Sequence, residues 1–308
     1  MRGAGACAPA QTLQWLADAA NYSPPPARVE VIETHMSWVF LAGDLAYKLK
    51  KPVTYPFLDF STLGAREADC RDELRLNRRL APGVYLGLTR LQRDAGGRLS
   101  LVDENGPVAA TGEAIDWLVR MRRLPVTRSL EALIERGELA PEQVETLGAV
   151  LAGFYGHLPP AELSANDYLD LLQGQHRLDR IALEHATPPL DAAIVPRVLD
   201  GIARFLREDH ALLEARIAAG RVVEGHGDLR PEHVFLFDAP VVIDCLEFNR
   251  DLRRVDWADE IAFLGVECER LRAPWVGPML RAAIGMALDD PVDDRLFDFH
   301  GATRACLR

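Results

Sequence analysis

The chain has 308 residues and is 48% hydrophobic, enough for one large core or two lobes of roughly 100–200 residues each. A formal charge of -11 argues against a general electrostatic grip on nucleic acid, which needs a basic face, and is compatible with a cationic small substrate. Five cysteines without a CxxC exclude a disulfide framework and a zinc site and point to a reducing, cytoplasmic compartment, and no run of 18 apolar residues exists to cross a membrane.

Residues 1–28 read as a flexible start, a short amphipathic helix and a linker closed by Pro24-Pro25-Pro26; the start lacks the sustained apolar stretch of a signal peptide. A β-rich part follows over 29–124. Val29–Thr34 alternates apolar and polar, Trp38–Ala42 is a short buried run, and Leu45–Lys50 alternates again after the turn Gly43-Asp44, which predicts a hairpin. Arg66–Leu80 has helical spacing, with charges set among Ala68, Leu74, Leu76 and Leu80. Val84–Leu91 and Leu99–Val102 read as strands around Asp94–Gly97, and Ile115–Met121 as another, running into Arg122-Arg123-Leu124-Pro125. From 125 to 308 the pattern is mainly helical, over Ser129–Arg136, Pro141–Gly156, Ala161–Leu172 and Leu190–Ala219. Short strands return at Arg221–Glu224, Val234–Phe237 and Val241–Ile243, and helices close the chain, which stops inside helical spacing at Phe297–Arg308 as a short or truncated member of its group would.

Chemistry concentrates around one of these short strands. His226-Gly227-Asp228 leads through His233 into a predicted hairpin whose far strand ends at Asp244. Phosphoryl transfer asks for two such acids: one carboxylate orients and deprotonates an acceptor hydroxyl, and the other holds Mg²⁺ bridging the phosphates. The β-rich part carries Lys48 and Lys50 on one face of their strand, so either can point at a nucleotide; Lys48 is preferred. The following helix offers Glu67 or Glu73 as the lysine's partner, with Glu73 better placed near mid-helix; the competing reading pairs Glu73 along its own helix with Asn77 or Arg78. Ser37, in the glycine-free loop Thr34–Trp38, offers a hydroxyl and an N–H to a phosphate, or else belongs to a plain β-turn. Backbone near Met121 and Arg122, at the junction of the two parts, would meet the adenine edge. Asp256, just before WADEIAFL, reads as a helix N-cap.

The stretch HGDLRPEH followed by VIDCLEF resembles the HGDxxxxN…D signature of the aminoglycoside phosphotransferase-like family of small-molecule kinases. IETHMSWVFLAGDLAYKLKKPV, LRLNRRLAPGVYLG and VRMRRLP extend the resemblance over most of the chain, toward a bacterial subgroup sometimes fused to a P-loop kinase domain; no GxxxxGK[ST] occurs here. The resemblance implies an α+β, protein-kinase-like bilobal fold with a β-rich N-lobe bearing one helix and a mainly helical C-lobe. It implies ATP as donor, a small-molecule hydroxyl as acceptor, Asp228 as catalytic base, Lys48 on the α/β-phosphates with Glu73 behind it, and His233 and Asp244 at the metal. The family has Asn where this chain has His233, and imidazole suits Mn²⁺ better than Mg²⁺, so Glu232 or Glu247 could take the role instead. Two other functions compete. A protein kinase needs an activation segment, for which the dozen residues between Asp244 and WADEIAFL leave little room. A non-catalytic nucleotide-binding scaffold draws on His233 and the glycine-free loop, against Lys48, Asp228 and Asp244. Neither the acceptor nor the oligomeric state follows from the sequence.

Overall fold

The computed structural model describes residues 9–55, 58–106, 111–187 and 190–307. The flexible start expected over the first eight residues, Cys7 included, lies outside the described residues. The chain divides into two compact units, Met1–Pro125 with Ile243–Asn249, and Val126–Val242 with Arg250–Arg308. The sequence reading ran the helical part unbroken from 125 to 308. The structure instead hands Ile243–Asn249 back to the first unit, for reasons that lie in side-chain contacts rather than in chain order.

Unit 1 opens with α1 (Pro9–Ala17) and the strands β1 (Val29–Glu33), β2 (Ser37–Ala42) and β3 (Leu45–Lys50). The small hairpin β4 (Thr54–Tyr55) and β5 (Leu58–Asp59), α2 (Leu63–Asn77), β6 (Tyr85–Arg93), β7 (Leu99–Asp103) and β8 (Glu113–Arg122) follow. Among the described residues, six strands form one antiparallel sheet in the order β1-β2-β3-β8-β6-β7. The β2–β3 turn needs only Gly43 and Asp44, because Ala42 pairs with Leu45 and Gly43 takes a left-handed φ of 62°. β3 lies inside the sheet, so Lys48 is flanked by Val39 and Val119. Leu16, Phe40, Leu49, Leu91 and Leu118 form the core on one side of this sheet. α2 packs against β8 and β6. It starts and ends three residues before the expected Arg66–Leu80, because Thr62 Oγ1 accepts the Ala65 N–H at 3.1 Å and caps it there.

Unit 2 contains α3 (Leu130–Glu135), α4 (Pro141–His157), α5 (Ala165–Glu184), α6 (Ile194–Glu208), α7 (His210–Ala218), β9 (Val222–Glu224), β10 (Val234–Phe235) and β11 (Val241–Val242). β12 (Arg254–Asp256), α8 (Trp257–Arg270), α9 (Val276–Ala287) and α10 (Asp294–Cys306) complete it. The predicted Leu190–Ala219 helix is two helices broken at Asp209, and the predicted Ala161–Leu172 helix begins later and runs on to Glu184 behind a Ser164–Asp167 capping box. α8 is buried on nearly every side, and Asp256 caps it by accepting the Ala258 N–H at 2.9 Å. α8 packs against α9 and α10. β10 and β11 pair as the expected hairpin, and β12 pairs with β9. The result is the α+β architecture expected: an antiparallel β-rich N-terminal unit with α2 against its sheet, and a mainly helical C-terminal unit.

Candidate active site

In unit 1 the site is built on β3 and α2. Period-2 alternation sends Lys48 and Lys50 to the same face, and both reach the buried carboxylate of Glu73. Lys48 Nζ donates to Glu73 Oε1 at 2.9 Å and to Asp244 Oδ1 at 2.8 Å. Lys50 Nζ lies 2.5 Å from Glu73 Oε2 and 2.8 Å from Asp69 Oδ2, and donates to Glu247. The two lysines differ in their surroundings: Lys48 joins Asp244, whose side chain is 46% exposed, while Lys50 is 1% exposed. Burial works against both ammonium charges. The carboxylates outweigh it, Asp244 and Glu73 around Lys48, Glu247 and Glu73 around Lys50, and hold both pKa values well above the ordinary lysine range. Burial pushes the Asp69 carboxyl up to about 7 in spite of Lys50. Glu247 is held below its ordinary value although burial opposes this, because Lys50 and then Lys48 favour its charge.

The Ile243–Asn249 segment is tied to this unit at successive residues. The Asp244 N–H donates to Tyr85 Oη at 3.1 Å, and the Cys245 N–H donates to Asn77 Oδ1 at 2.8 Å. Arg79 Nη2 donates to Cys245 Sγ at 3.3 Å. Asp244 itself has φ 59°, a left-handed conformation that aspartate tolerates better than most residues. Tyr85, Asn77 and Arg79 hold this segment, and the sequence reading missed them. Asn77 carried the one available signal, as a polar residue at the buried end of a helix. Glu247, the alternative metal ligand of the sequence reading, forms an ion pair with Lys50.

Asp69, Glu73 and Glu247 each offer a carboxylate oxygen within 4.8 Å of the others, which among the described residues is a spacing that could hold a metal ion. The ammonium of Lys50 contacts all three, so a cation is already in place. Asp244, half-exposed and a hard oxygen donor, is the better fit to Mg²⁺ in this unit.

In unit 2 the HGD loop leaves β9 and is held from behind by α8. Glu260, fully buried, accepts the His226 N–H at 2.9 Å, the Gly227 N–H, and the Tyr155 hydroxyl at 2.8 Å. Burial raises its carboxyl pKa, an effect that the two amides partly offset. Two glycines make this approach possible. Gly227 has φ 86°, and a Cβ on Gly225 would fall 2.6 Å from Glu260 Oε2. Leu229 is fully buried and anchors the loop, leaving the Asp228 side chain 34% exposed. Arg230 Nη1 stands 3.9 Å from Asp228 Oδ2. His233 Nδ1 meets the Asp228 carbonyl at 2.9 Å. A carbonyl only accepts, so His233 Nδ1 is the donor in this contact. Glu232 pairs with Arg230. Neither Asp259 nor Glu260 meets solvent as an acceptor site would require: Glu260 clamps the loop, and Asp259 is bound by Arg304 at 2.6 Å.

Two expectations are corrected by this geometry. Ser37 is 1% exposed and its N–H donates to Thr34 Oγ1 at 3.0 Å, while its carbonyl accepts the Thr34 N–H at 2.9 Å. The Thr34–Ser37 turn closes on itself, so Ser37 does not offer those donors to a phosphate. Met121 lies on β8 opposite Ala46 and Tyr85; beyond it the Arg122 N–H donates to the Val84 carbonyl at 2.9 Å and the Arg123 N–H to the Asp44 carbonyl at 2.8 Å. Those two amides are committed within unit 1, so any contact of this backbone with an adenine edge falls to its other groups.

No protein-family model matches the chain. Curated relatives are uncharacterised proteins of Mycobacterium tuberculosis and Mycobacterium bovis, each 32% identical over 289 residues, covering 91% of this chain and 54% of the relative. The chain thus spans about half the length of the curated relatives it matches. Among solved structures, the aminoglycoside phosphotransferase of Streptomyces rimosus in complex with ADP and streptomycin aligns over 98% of this chain and 100% of its own, with a TM-score of 0.50 at 15% identity. An ethanolamine kinase of Plasmodium vivax aligns over 91% of this chain and 73% of its own, with a TM-score of 0.45 at 12% identity. At that identity the likeness is one of fold: the chain shares the kinase-like fold of the Streptomyces rimosus aminoglycoside phosphotransferase.

Proposed function

We propose that this chain is an ATP-dependent phosphotransferase that moves the γ-phosphoryl group to a hydroxyl of a small molecule. The observation that carries the reading is Lys48 held at once by Glu73 and Asp244, residues 25 and 196 positions away. A lysine so arranged is a fixed positive charge beside a half-exposed carboxylate, the pairing that phosphate groups and their counter-ion require. Asp228 takes the proton of the acceptor hydroxyl as its oxygen attacks the γ-phosphorus. The bond from that phosphorus to the β,γ-bridging oxygen breaks, and ADP leaves. Glu260 fixes the backbone of the loop that carries this base.

Asp244, as carboxylate, and His233, through Nε2, are the residues that would hold Mg²⁺ or Mn²⁺; the ion when bound neutralises charge on the phosphate oxygens. An imidazole in that set favours Mn²⁺ relative to an all-oxygen set. Lys48 orients Asp244 before any ligand arrives, and on nucleotide binding its remaining donor capacity turns to the α/β-phosphates.

The test is nucleotide turnover with Mg²⁺ and with Mn²⁺, run against a panel of hydroxylated metabolites and aminoglycosides. Asp228→Ala should retain metal-dependent nucleotide binding and lose turnover by roughly a hundredfold to ten-thousandfold, the range of a general base. Equal turnover in the variant would favour a nucleotide-binding scaffold instead. Absence of any metal-dependent nucleotide binding by the wild type would remove the kinase reading altogether.

A further inference from the structure

We propose that Lys50 and Glu247 act as a positioning pair for Asp244, a second lysine–carboxylate couple that sets how tightly this chain takes its metal. The inference rests on the phosphotransferase reading above. β3 presents two lysines two residues apart, and they have different environments. Lys48 is at the boundary with solvent; Lys50 is 1% exposed and cannot reach a nucleotide without unfolding its strand.

What Lys50 does reach is Glu247, three residues beyond Asp244. Asp244 sits in a left-handed conformation, which persists only where its surroundings fix it. Its own N–H is held by Tyr85 and the next N–H by Asn77. Those two contacts fix the segment at and just after Asp244. The Lys50–Glu247 pair fixes it downstream, with Lys50 1% and Glu247 8% exposed. Glu73 links the two couples directly, giving Oε1 to Lys48 and Oε2 to Lys50. One carboxylate therefore registers the nucleotide-facing lysine against the lysine that pins the Asp244 segment. A shift of Glu247 would rotate the segment about Asp244 and change the direction in which its carboxylate points.

The experiment uses the full chain and the isosteric variant Glu247→Gln. ATP binding is followed by calorimetry and by thermal shift as Mg²⁺ is titrated, alongside kcat and the nucleotide KM. If the pair positions Asp244, the Mg²⁺ concentration at half-saturation rises about tenfold or more, as for the loss of an outer contact to a metal ligand. The nucleotide KM at saturating metal stays within about twofold in that case, because Lys48 is untouched. Glu247→Asp, which keeps the charge and shortens its reach, should give a smaller rise and covers the case in which Glu247→Gln fails to fold. Wild-type metal dependence in a folded variant overturns the inference and leaves the phosphotransferase reading standing. A wild type without Mg²⁺-dependent ATP binding overturns both.

Discussion

At the scale of single residues, Asp69 gives unit 1 a measurable dependence on pH. Burial holds its carboxyl up to about 7 in the folded chain, against roughly 4 when unfolded. Between those values the native state binds the proton that the unfolded state has released, so this group makes stability fall as pH rises from about 4 to about 7 and contributes no further slope above that. Asp69→Asn removes the titration while leaving Lys50 an acceptor. Unfolding midpoints in urea, measured from pH 5 to 8, should therefore improve for the variant relative to wild type as pH rises. A constant difference would show that Asp69 does not titrate there. Lys48 and Glu73 were legible in the sequence because alternation and helical position constrain a side chain's direction. Ser37 was not, because nothing in a tripeptide reveals that Thr34 already satisfies its N–H.

At the scale of elements, the HGD loop depends on α8. Glu260→Ala would leave two buried amides and the Tyr155 hydroxyl without their acceptor, and the cost should be about 3 kcal/mol or more, at 1–3 kcal/mol for each stranded group. It would appear as a lower urea midpoint with an unchanged slope. Glu260→Gln keeps an acceptor and should recover most of the loss; a stable Glu260→Ala protein would mean that the loop is held elsewhere. The strands of unit 1 could be read from the sequence almost residue for residue, since half-buried strands alternate with period 2. β12 could not, because three residues with two charges carry no period. α5 was read short because its second half mixes exposed Leu178 and Ile181 with charged residues and blurs the amphipathic pattern. The role of Glu260 was not legible, since the apolar run around it says that α8 is buried but not what its inward carboxylates meet.

At the scale of the whole molecule, the phosphotransferase reading predicts linkage between ligand and stability. ATP with Mg²⁺ at about a hundred times its Kd should stabilise the folded chain by about 2.7 kcal/mol. For a chain of this size that raises the midpoint of thermal unfolding by roughly 4 °C. Nucleotide without metal should give less, and Asp228→Ala should leave the shift intact. A shift that ignores metal would argue against Asp244 as its ligand. The division into a β-rich and a helical part was visible in the change of period near residue 125. The return of Ile243–Asn249 to unit 1 was not, because it depends on Tyr85, Asn77 and Lys50 meeting a segment more than 150 residues downstream.

That return also sets an order of events during synthesis. When translation has passed Pro125, every strand of the N-terminal sheet has been made, yet Lys48 and Lys50 have only Glu73 and Asp69 as counter-charges. Asp244 and Glu247 do not exist until the ribosome has added well over a hundred further residues. Two lysines destined for burial must therefore stay wet through most of the chain's production, and the N-terminal unit, although first to be made, is among the last parts to reach its final charge balance.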